Sequence, residues 1–131
     1  TAFGANFVWR ETEAGALLQS ELDGYFAGRL KTFATPVQMV GTAFQQQVWR
    51  VLQTIGYGET RSYKEESQQL GNPRAVRAVA AANGQNKISI LIPCHRVIGS
   101  DGLLTGYAGG VERKRFLLEL ERGNRQETLG F

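Results

Sequence analysis

The chain has very few of the residues that build disulfides and metal centres. Its 131 residues include one cysteine and one histidine. An internal disulfide is therefore excluded, and a zinc site made of cysteine and histidine has too few ligands. No apolar run approaches the roughly 20 residues that span a bilayer. Because a lone thiol stays reduced in a reducing compartment, we expect a soluble intracellular protein without metal, other cofactor or membrane contact.

The composition allows a folded core, and the charge is unevenly distributed. Hydrophobic residues make up 42% of the chain, which favours one globular domain, with or without a small appendage. The net charge is only +3, but residues 61–96 hold six basic side chains against two acidic ones. This excess favours a polyanion such as nucleic acid, although small positive patches are also common on soluble domains.

Apolar residues at helical spacing predict several helices. The spacing and the glycine and proline positions predict a strand at Phe3–Trp9, helices at Ala14–Gly28, Ala43–Ile55 and Val111–Arg122, and an extended connector at Lys31–Gly41.

A helix-turn-helix is predicted between residues 62 and 83. Ser62 and Glu65 have the spacing of a capping box, and Gly71 follows the first helix, which ends at Leu70. Asn72 is predicted to cap a second helix that runs from Pro73 to Asn83. In this helix Val76 and Val79 face inward, and the outer stripe consists of Arg74, Arg77, Ala78 and Ala81. Small outer residues permit close approach to a DNA groove, but alanine also serves simply as a good helix former.

The cysteine and the histidine are neighbours in Pro93-Cys94-His95-Arg96-Val97, after the apolar run Ile88–Ile92, which is predicted to be a strand. An imidazole is the usual base that turns a thiol into a nucleophilic thiolate. Adjacent side chains on a strand point to opposite faces, so the pair can cooperate only if the chain turns at Pro93. Otherwise Cys94 is a small buried hydrophobe.

The run from Ile92 to Val97, followed by Gly106-Tyr107-Ala108-Gly109-Gly110, resembles the active-site signature of the O6-alkylguanine-DNA alkyltransferases. The likeness extends from about Gly41 to Glu121. Its other blocks are Gly41-Thr42-Ala43-Phe44-Gln45, Val48-Trp49, Tyr57-Gly58-Glu59-Thr60, Ser62-Tyr63, Gly71-Asn72-Pro73 and Arg74 to Ala78. The resemblance implies repair of O6-alkylguanine, and of O4-alkylthymine, by irreversible transfer of the alkyl group to Cys94.

The resemblance implies catalytic roles for Cys94, His95, Glu121, Tyr63 and Asn86, and the first three of these act on the thiol. Cys94 accepts the alkyl group, His95 is its base, directly or through a water, and Glu121 orients the imidazole. The sequence around Glu121 does not distinguish it from Glu112 or Glu119 as that carboxylate.

The resemblance also implies how the lesion is presented. The target nucleotide flips out of the duplex, Arg77 takes its place in the stack, and Tyr63 pushes the 3′ phosphate and offsets charge on the leaving guanine. Asn86 braces the helix-turn-helix against the active-site strand. The residues implied to contact DNA are Tyr63, Lys64, Asn72, Arg74, Ala75, Arg77 and Ala78, and those implied to line the guanine pocket are Val97, Tyr107 and Ala108.

The implied fold class is α+β. A helical C-terminal domain at residues 41–122 contains a winged-helix-like helix-turn-helix and a short active-site strand. A truncated N-terminal region at 1–40 precedes it, and a loosely ordered tail at 123–131 follows. In the first helix of the motif, Glu66 and Ser67 depart from the family pattern, because they stand where an aliphatic residue and alanine are usual. Gly56 and Lys87 stand where the family often has proline. We expect Glu66 at the edge of an apolar interface. The alternative is that Glu66 is solvated or forms a salt bridge with Arg61 or Arg74.

Three other functions remain open. The chain is alternatively a lesion-binding relative without transfer, a transcription regulator, or a cysteine hydrolase with a Cys-His-Glu triad. Retention of Cys94 disfavours the first, and a second helix poor in asparagine and glutamine disfavours the regulator. We expect a monomer that binds double-stranded DNA containing O6-alkylguanine. The expected compartment is the cytoplasm in a bacterium or archaeon and the nucleus in a eukaryote.

Overall fold

The structure, a computed structural model, describes residues 13–99 and 110–128. The predicted strand Phe3–Trp9 lies outside these ranges. The chain divides into two compact units, Thr1–Gln38 and Met39–Phe131.

The described part of the first unit is a helix and the segment that follows it. Helix α1 (Glu13–Phe26) agrees within two residues with the predicted helix Ala14–Gly28. The following segment has neither helix nor strand, as expected for a connector. It is fastened to α1 by the buried carboxylate of Glu21, which accepts hydrogen bonds from the N–H groups of Ala34 (2.7 Å) and Thr35 (2.8 Å).

Three helices form the centre of the second unit. They are α2 (Ala43–Leu52), α3 (Tyr63–Leu70) and α4 (Val76–Gly84), and each packs against the other two. The buried face of α2 includes Trp49, whose indole N–H donates a 2.9 Å hydrogen bond to the carbonyl of Ala82 on α4. This buried bond adds a directional contact to the apolar burial, which is the larger source of stability.

The predicted boundaries of α3 are confirmed. The Ser62 hydroxyl accepts a hydrogen bond from the Glu65 N–H (3.0 Å), and the Glu65 carboxylate accepts one from the Ser62 N–H (2.8 Å). The two bonds satisfy N–H groups that have no partner within the helix. At the other end Gly71 has φ of +90°, the left-handed conformation that glycine adopts without a steric cost.

The predicted start of α4 is wrong. The helix begins at Val76, and no side chain caps it. Asn72 instead accepts a hydrogen bond at its carbonyl from the Ala75 N–H (3.0 Å), which closes a turn with Pro73 at its second position. Proline suits that position as well as the first turn of a helix, so the sequence allowed both structures.

The segment Ile88–Ile92 is not the strand that its apolar residues predicted. Its backbone bonds to itself, because the Ile92 N–H donates to the Ile88 carbonyl (3.0 Å), and Ile90 has a positive φ of 74°. The Asn86 side chain bridges the two ends by accepting from the Ile88 N–H (2.9 Å) and donating to the Ile92 carbonyl (2.8 Å). A strand would offer these backbone groups to a neighbouring strand, and here they are already used.

The strand of the active-site region follows the cysteine instead of preceding it. A 3₁₀ turn at Cys94–Arg96 leads into β2 (Val97–Ile98), which pairs in parallel with β1 (Arg61–Ser62). The fold class is confirmed, since the second unit is mostly helical and contains a helix-turn-helix and a short two-stranded sheet.

Two helix ends differ from the predictions. Helix α2 ends at Leu52 and not at Ile55, because the N–H groups of Thr54 and Ile55 bond to carbonyls three residues back, which is the 3₁₀ pattern. Helix α5 (Val111–Thr128) continues past the predicted end at Arg122. Gly123 does not have a left-handed backbone, and a glycine inside a helix costs about 1 kcal/mol without ending it.

Candidate active site

Cys94 is a buried thiol held in place by Asn86. The cysteine residue is 7% exposed, and its Sγ accepts a hydrogen bond of 3.3 Å from the Asn86 side-chain amide. Burial raises the pKa of the thiol, and the Asn86 hydrogen bond and the charge of Lys114 lower it in part. The same Asn86 amide that shapes the preceding loop therefore also contacts the sulfur.

His95 and Arg96, which follow Cys94 in the chain, form a buried cluster with Glu121 of α5. Glu121 Oε2 lies 2.8 Å from His95 Nε2. The guanidinium of Arg96 donates through Nε to Oε1 and through Nη2 to Oε2 of the same carboxylate, both at 2.9 Å, and the Gly58 N–H donates to Oε1 at 3.2 Å. Of the three candidate carboxylates, Glu121 is the one that contacts the imidazole, because Glu112 and Glu119 are exposed on α5.

The electrostatics of the cluster fix the protonation of the imidazole. Burial would raise the pKa of Glu121, but the hydrogen bonds from His95 and Arg96 outweigh it and hold the pKa at about 2. Burial lowers the pKa of His95, against the attraction of Glu121. The histidine is therefore a neutral imidazole that donates from Nε2, which leaves Nδ1 as an acceptor, and this buried atom has no hydrogen-bond partner among the residues that the structure describes. A neutral imidazole with a free lone pair is suited to accept a proton.

Arg96 and Lys114 belong to the site, although the sequence did not single them out for it. Arg96 also donates to the Ile55 carbonyl (2.7 Å), which ties the cluster to the segment after α2. Lys114 is fully buried on α5, and its charge lowers the pKa of Cys94. The signal for Lys114 was its helical spacing, since Leu117 and Glu121 lie on the same buried face.

Of the other predicted site residues, Tyr63 and Val97 lie within the described part of the chain. Tyr63 is half-buried at the start of α3, and the Lys114 Nζ lies 5.7 Å from the centre of its ring. Val97 is fully buried on β2 beside Arg61 of β1. The predicted pocket residues Tyr107 and Ala108 lie outside the described residues.

The predicted DNA-contacting residues lie on the exposed side of the helix-turn-helix. Ala75 is half-buried, and the exposed residues are Lys64, Asn72, Arg74, Arg77 and Ala78. The inward face of α4 is also as predicted, with Val79 fully buried. The exposed surface of this motif is therefore basic with small side chains between the charges.

Ser67 and Glu66, the two residues of α3 that depart from the family pattern, are accommodated differently. The Ser67 hydroxyl donates to the Tyr63 carbonyl of its own helix at 2.9 Å, which satisfies a buried polar group locally. Glu66 is fully buried, not at an edge, and its hydrogen-bond partner is the Asn83 amide (2.7 Å), not Arg61 or Arg74. Arg61 lies 3.7 Å from Glu59, and Arg74 is exposed.

Two kinds of feature are absent from residues 13–99 and 110–128. There, no three acidic, cysteine or histidine side chains come together as a metal site. In the same ranges no helix is both long enough and apolar enough to cross a bilayer.

The domain combines a helix-turn-helix with a buried thiol and an imidazole that is bound by a carboxylate. This combination is typical of a protein that joins a nucleic-acid-binding fold to cysteine chemistry. Residues 43–123 match the family described as 6-O-methylguanine DNA methyltransferase, DNA binding domain. The chain belongs to this family.

Curated relatives agree with the family match. The methylated-DNA–protein-cysteine methyltransferase of Mycobacterium tuberculosis is 59% identical over 102 residues, which is 78% of this chain and 62% of that protein. The protein of the same name from Mycobacterium leprae is 56% identical over 112 residues, covering 86% and 68% of the two chains. The chain thus spans less than two thirds of the length of the M. tuberculosis relative.

A solved structure matches the fold. The crystal structure of Mycobacterium tuberculosis OGT in complex with DNA superposes with a TM-score of 0.83 at 55% identity, covering 84% of this chain and 68% of that one.

Proposed function

We propose that the protein transfers the alkyl group of O6-alkylguanine in double-stranded DNA irreversibly to Cys94. The names of the curated relatives and the DNA-bound neighbour support this reaction. The observation that carries it is the buried cluster in which Glu121 holds His95 and Arg96 directly after Cys94. O4-alkylthymine is proposed as a second substrate on the family resemblance alone.

In the proposed step the Cys94 sulfur attacks the alkyl carbon. A C–S bond forms while the C–O6 bond breaks, and the electron pair leaves with the guanine oxygen. The thiol proton passes to Nδ1 of His95, directly or through a water. The restored guanine, which stays in the DNA, takes up a proton from water, and the imidazolium later returns its proton to water. Glu121 stabilises the imidazolium that forms, and the charge of Lys114 stabilises the thiolate. The thioether product has no ready route back to a thiol, so each molecule reacts once.

We propose that the exposed side of the helix-turn-helix binds the duplex while the damaged base is flipped. Arg77, exposed on α4, fills the space left in the stack, because its planar guanidinium stacks and stays charged. Tyr63 helps to offset charge on the leaving guanine, and Asn72, Lys64, Arg74, Ala75 and Ala78 complete the DNA contact. Val97, Tyr107 and Ala108 are the proposed guanine pocket, and Asn86 is the brace that connects the motif to Cys94.

The protein is proposed to act as a monomer in the compartment that holds the DNA. In a bacterium or archaeon this is the cytoplasm, and in a eukaryote it is the nucleus. Residues 1–40 are proposed to be the counterpart of the family's N-terminal sheet domain, and residues 41–122 are the alkyltransferase domain.

Intact-mass measurement tests the reaction. After incubation with duplex DNA containing O6-methylguanine, the protein should gain one methyl group, and peptide mapping should place it on Cys94. The variant Cys94→Ala should bind the same DNA and gain no mass.

The other outcomes identify the other functions. Binding without any mass gain in the wild-type protein would indicate a lesion-binding protein. Continued turnover without modification would indicate a hydrolase, and a methyl group on another residue would contradict the proposed mechanism.

A further inference from the structure

Glu66 and Asn83 leave two buried acceptor atoms without a donor. Glu66 lies on α3 and is 0% exposed. Among the described residues, its hydrogen-bond donor is Asn83, whose Nδ2 donates to Oε1 (2.7 Å). Oε2 of Glu66 and Oδ1 of Asn83 have no hydrogen-bond partner among the described residues. Two unsatisfied acceptors on side chains that are already bonded to each other are unfavourable.

One proton removes both defects. A carboxyl group that carries a proton on Oε2 can donate it to Oδ1 of Asn83 while Oε1 still accepts from Nδ2. Acid and amide then form a ring of two hydrogen bonds, and no charge is buried.

We propose that Glu66 is a positioning residue for alkyl transfer, and that its protonated carboxyl group pairs with the Asn83 amide through two hydrogen bonds to fasten α3 to the end of α4. This role rests on the function proposed above. The pair is near the chemistry because α4 ends at Gly84 and Asn86, which contacts the Cys94 sulfur, follows two residues later. Ionisation of Glu66 removes the second hydrogen bond and raises the pKa of Cys94 through its charge.

The charges around Glu66 do not neutralise it. Burial raises its pKa to about 7, and the Asn83 hydrogen bond opposes this only in part. The elements packed against α3 are α2, α4, β1 and β2. The charged side chains on these four elements are Arg50 and Arg77, which are exposed, and Arg61, which lies beside Glu59. The titratable groups of the active site on this side are Cys94 and Lys114. Glu66 therefore changes its charge in the range where the thiol reaction is measured.

The pH dependence of transfer separates this role from a purely structural one. Raising the pH ionises Cys94 and speeds transfer, but in the wild-type protein it also ionises Glu66 and slows it. The variant Glu66→Gln keeps both hydrogen bonds to Asn83 at every pH, because its amide donates where the acid did. The ratio of its single-turnover transfer rate to that of the wild type should be near one at about pH 5.5 and should rise severalfold by about pH 8.5.

The matched control is Glu65→Gln, an exposed carboxylate on the same helix whose bond to the Ser62 N–H a glutamine can also make. Its ratio to the wild type should stay constant over the same pH range. A constant ratio for Glu66→Gln as well would overturn the proposal.

A third variant separates pairing from charge. Glu66→Leu removes the charge without replacing the hydrogen bonds to Asn83. If the pair positions the site, Glu66→Leu transfers more slowly than Glu66→Gln at every pH. Equal rates in the two variants would contradict a positioning role.

Thiol reactivity distinguishes failure of this proposal from failure of the proposed function. The rate at which iodoacetamide modifies Cys94 needs no DNA, and its pH profile should move to lower pH in Glu66→Gln than in the wild type. If no protein accepts a methyl group but this shift is present, the transfer function fails and the Glu66–Asn83 pair stands. If methyl transfer occurs with parallel pH profiles and no shift, the pair fails and the transfer function stands.

Discussion

Two buried glutamates of one domain have opposite protonation preferences. Burial raises the pKa of both, but Glu121 accepts hydrogen bonds from His95, Arg96 and Gly58, whereas the Asn83 amide is the one donor to Glu66 within the described part of the chain. The hydrogen bonds prevail at Glu121 and burial prevails at Glu66, so their pKa values are about 2 and about 7. Folding therefore releases a proton at Glu121 between about pH 2 and 4.5, and it takes one up at Glu66 between about pH 4.5 and 7.

Glu121 should stabilise the fold in a way that acid removes. Its pKa is about 2 in the folded state and 4.5 as the ordinary value, so its contribution is complete above about pH 4.5 and is lost as the pH falls toward 2. The difference corresponds to roughly 3 kcal/mol of unfolding free energy. Glu121→Gln should be destabilised by about 3–5 kcal/mol at neutral pH, because Arg96 loses its buried anion. It should also lack the share of the acid-dependent loss that Glu121 causes. Urea unfolding across the pH range measures both effects.

Glu119→Gln is the control for this measurement, since Glu119 is exposed on the same helix. It should follow the wild-type curve. Unfolding free energies of the wild type and Glu121→Gln that fall in parallel below pH 4.5 would disprove the stabilising role of the charge.

Among the elements, the stability of the helix-turn-helix depends on the glycine at the end of its first helix. Gly71 has φ of +90°, and a Cβ atom added there would meet open space. Gly84 is the last residue of α4; its backbone is not left-handed, and a Cβ atom added there would also meet open space. The two glycines thus differ in backbone conformation and not in crowding. Conformation alone should decide the effect of a methyl group at each.

Alanine at these two positions should shift stability in opposite directions. Gly71→Ala should lower the unfolding free energy by about 1–2 kcal/mol, because L-residues are strained in the left-handed region. Gly84→Ala should leave it unchanged or raise it by up to about 1 kcal/mol, because alanine restricts the unfolded chain. Thermal unfolding of both variants beside the wild type checks the pair. A loss of stability at Gly84 equal to that at Gly71 would show that backbone conformation is not the cause.

The same elements mark the limit of what the sequence predicts. The ends of α3 were predictable because Ser62, Glu65 and Gly71 act through neighbours close in the chain. The segment Ile88–Ile92 was not, because the Asn86 side chain bonds to backbone groups at both ends of its turns, and apolar composition suits a turn as well as a strand. For the site, the Cys94–His95 pair was visible, whereas the contact of Arg96 with Glu121 joins residues 25 positions apart and required the fold.

For the whole molecule, the basic excess in residues 61–96 divides into exposed and buried charge. Lys64, Arg74, Arg77 and Lys87 are exposed, Arg61 is half-buried beside Glu59, and Arg96 is buried on Glu121. Only the exposed group is available to phosphates. The surface charge of the segment is therefore smaller than its composition suggests, but it includes three residues of the helix-turn-helix.

DNA affinity should fall steeply with salt and depend little on sequence. Each phosphate that the protein neutralises adds roughly −0.9 to the slope of log affinity against log salt concentration. Replacing Arg74 with alanine should reduce the slope by about one, and the exposed Arg50 on α2, outside the motif, provides the control Arg50→Ala with an unchanged slope. Fluorescence anisotropy with undamaged duplex measures the slopes. Salt-independent binding would contradict a phosphate interface.

The hydrogen bond from Trp49 to Ala82 gives the domain an internal optical reporter. The indole is almost completely buried on α2, and its N–H bonds to a carbonyl near the end of α4. Indole emission depends on the polarity and hydrogen bonding around the ring. Any rearrangement that moves α4 away from α2 should therefore shift the emission wavelength of Trp49, and no extrinsic label is needed. The other tryptophan, Trp9, can be replaced with phenylalanine so that the signal comes from Trp49 alone.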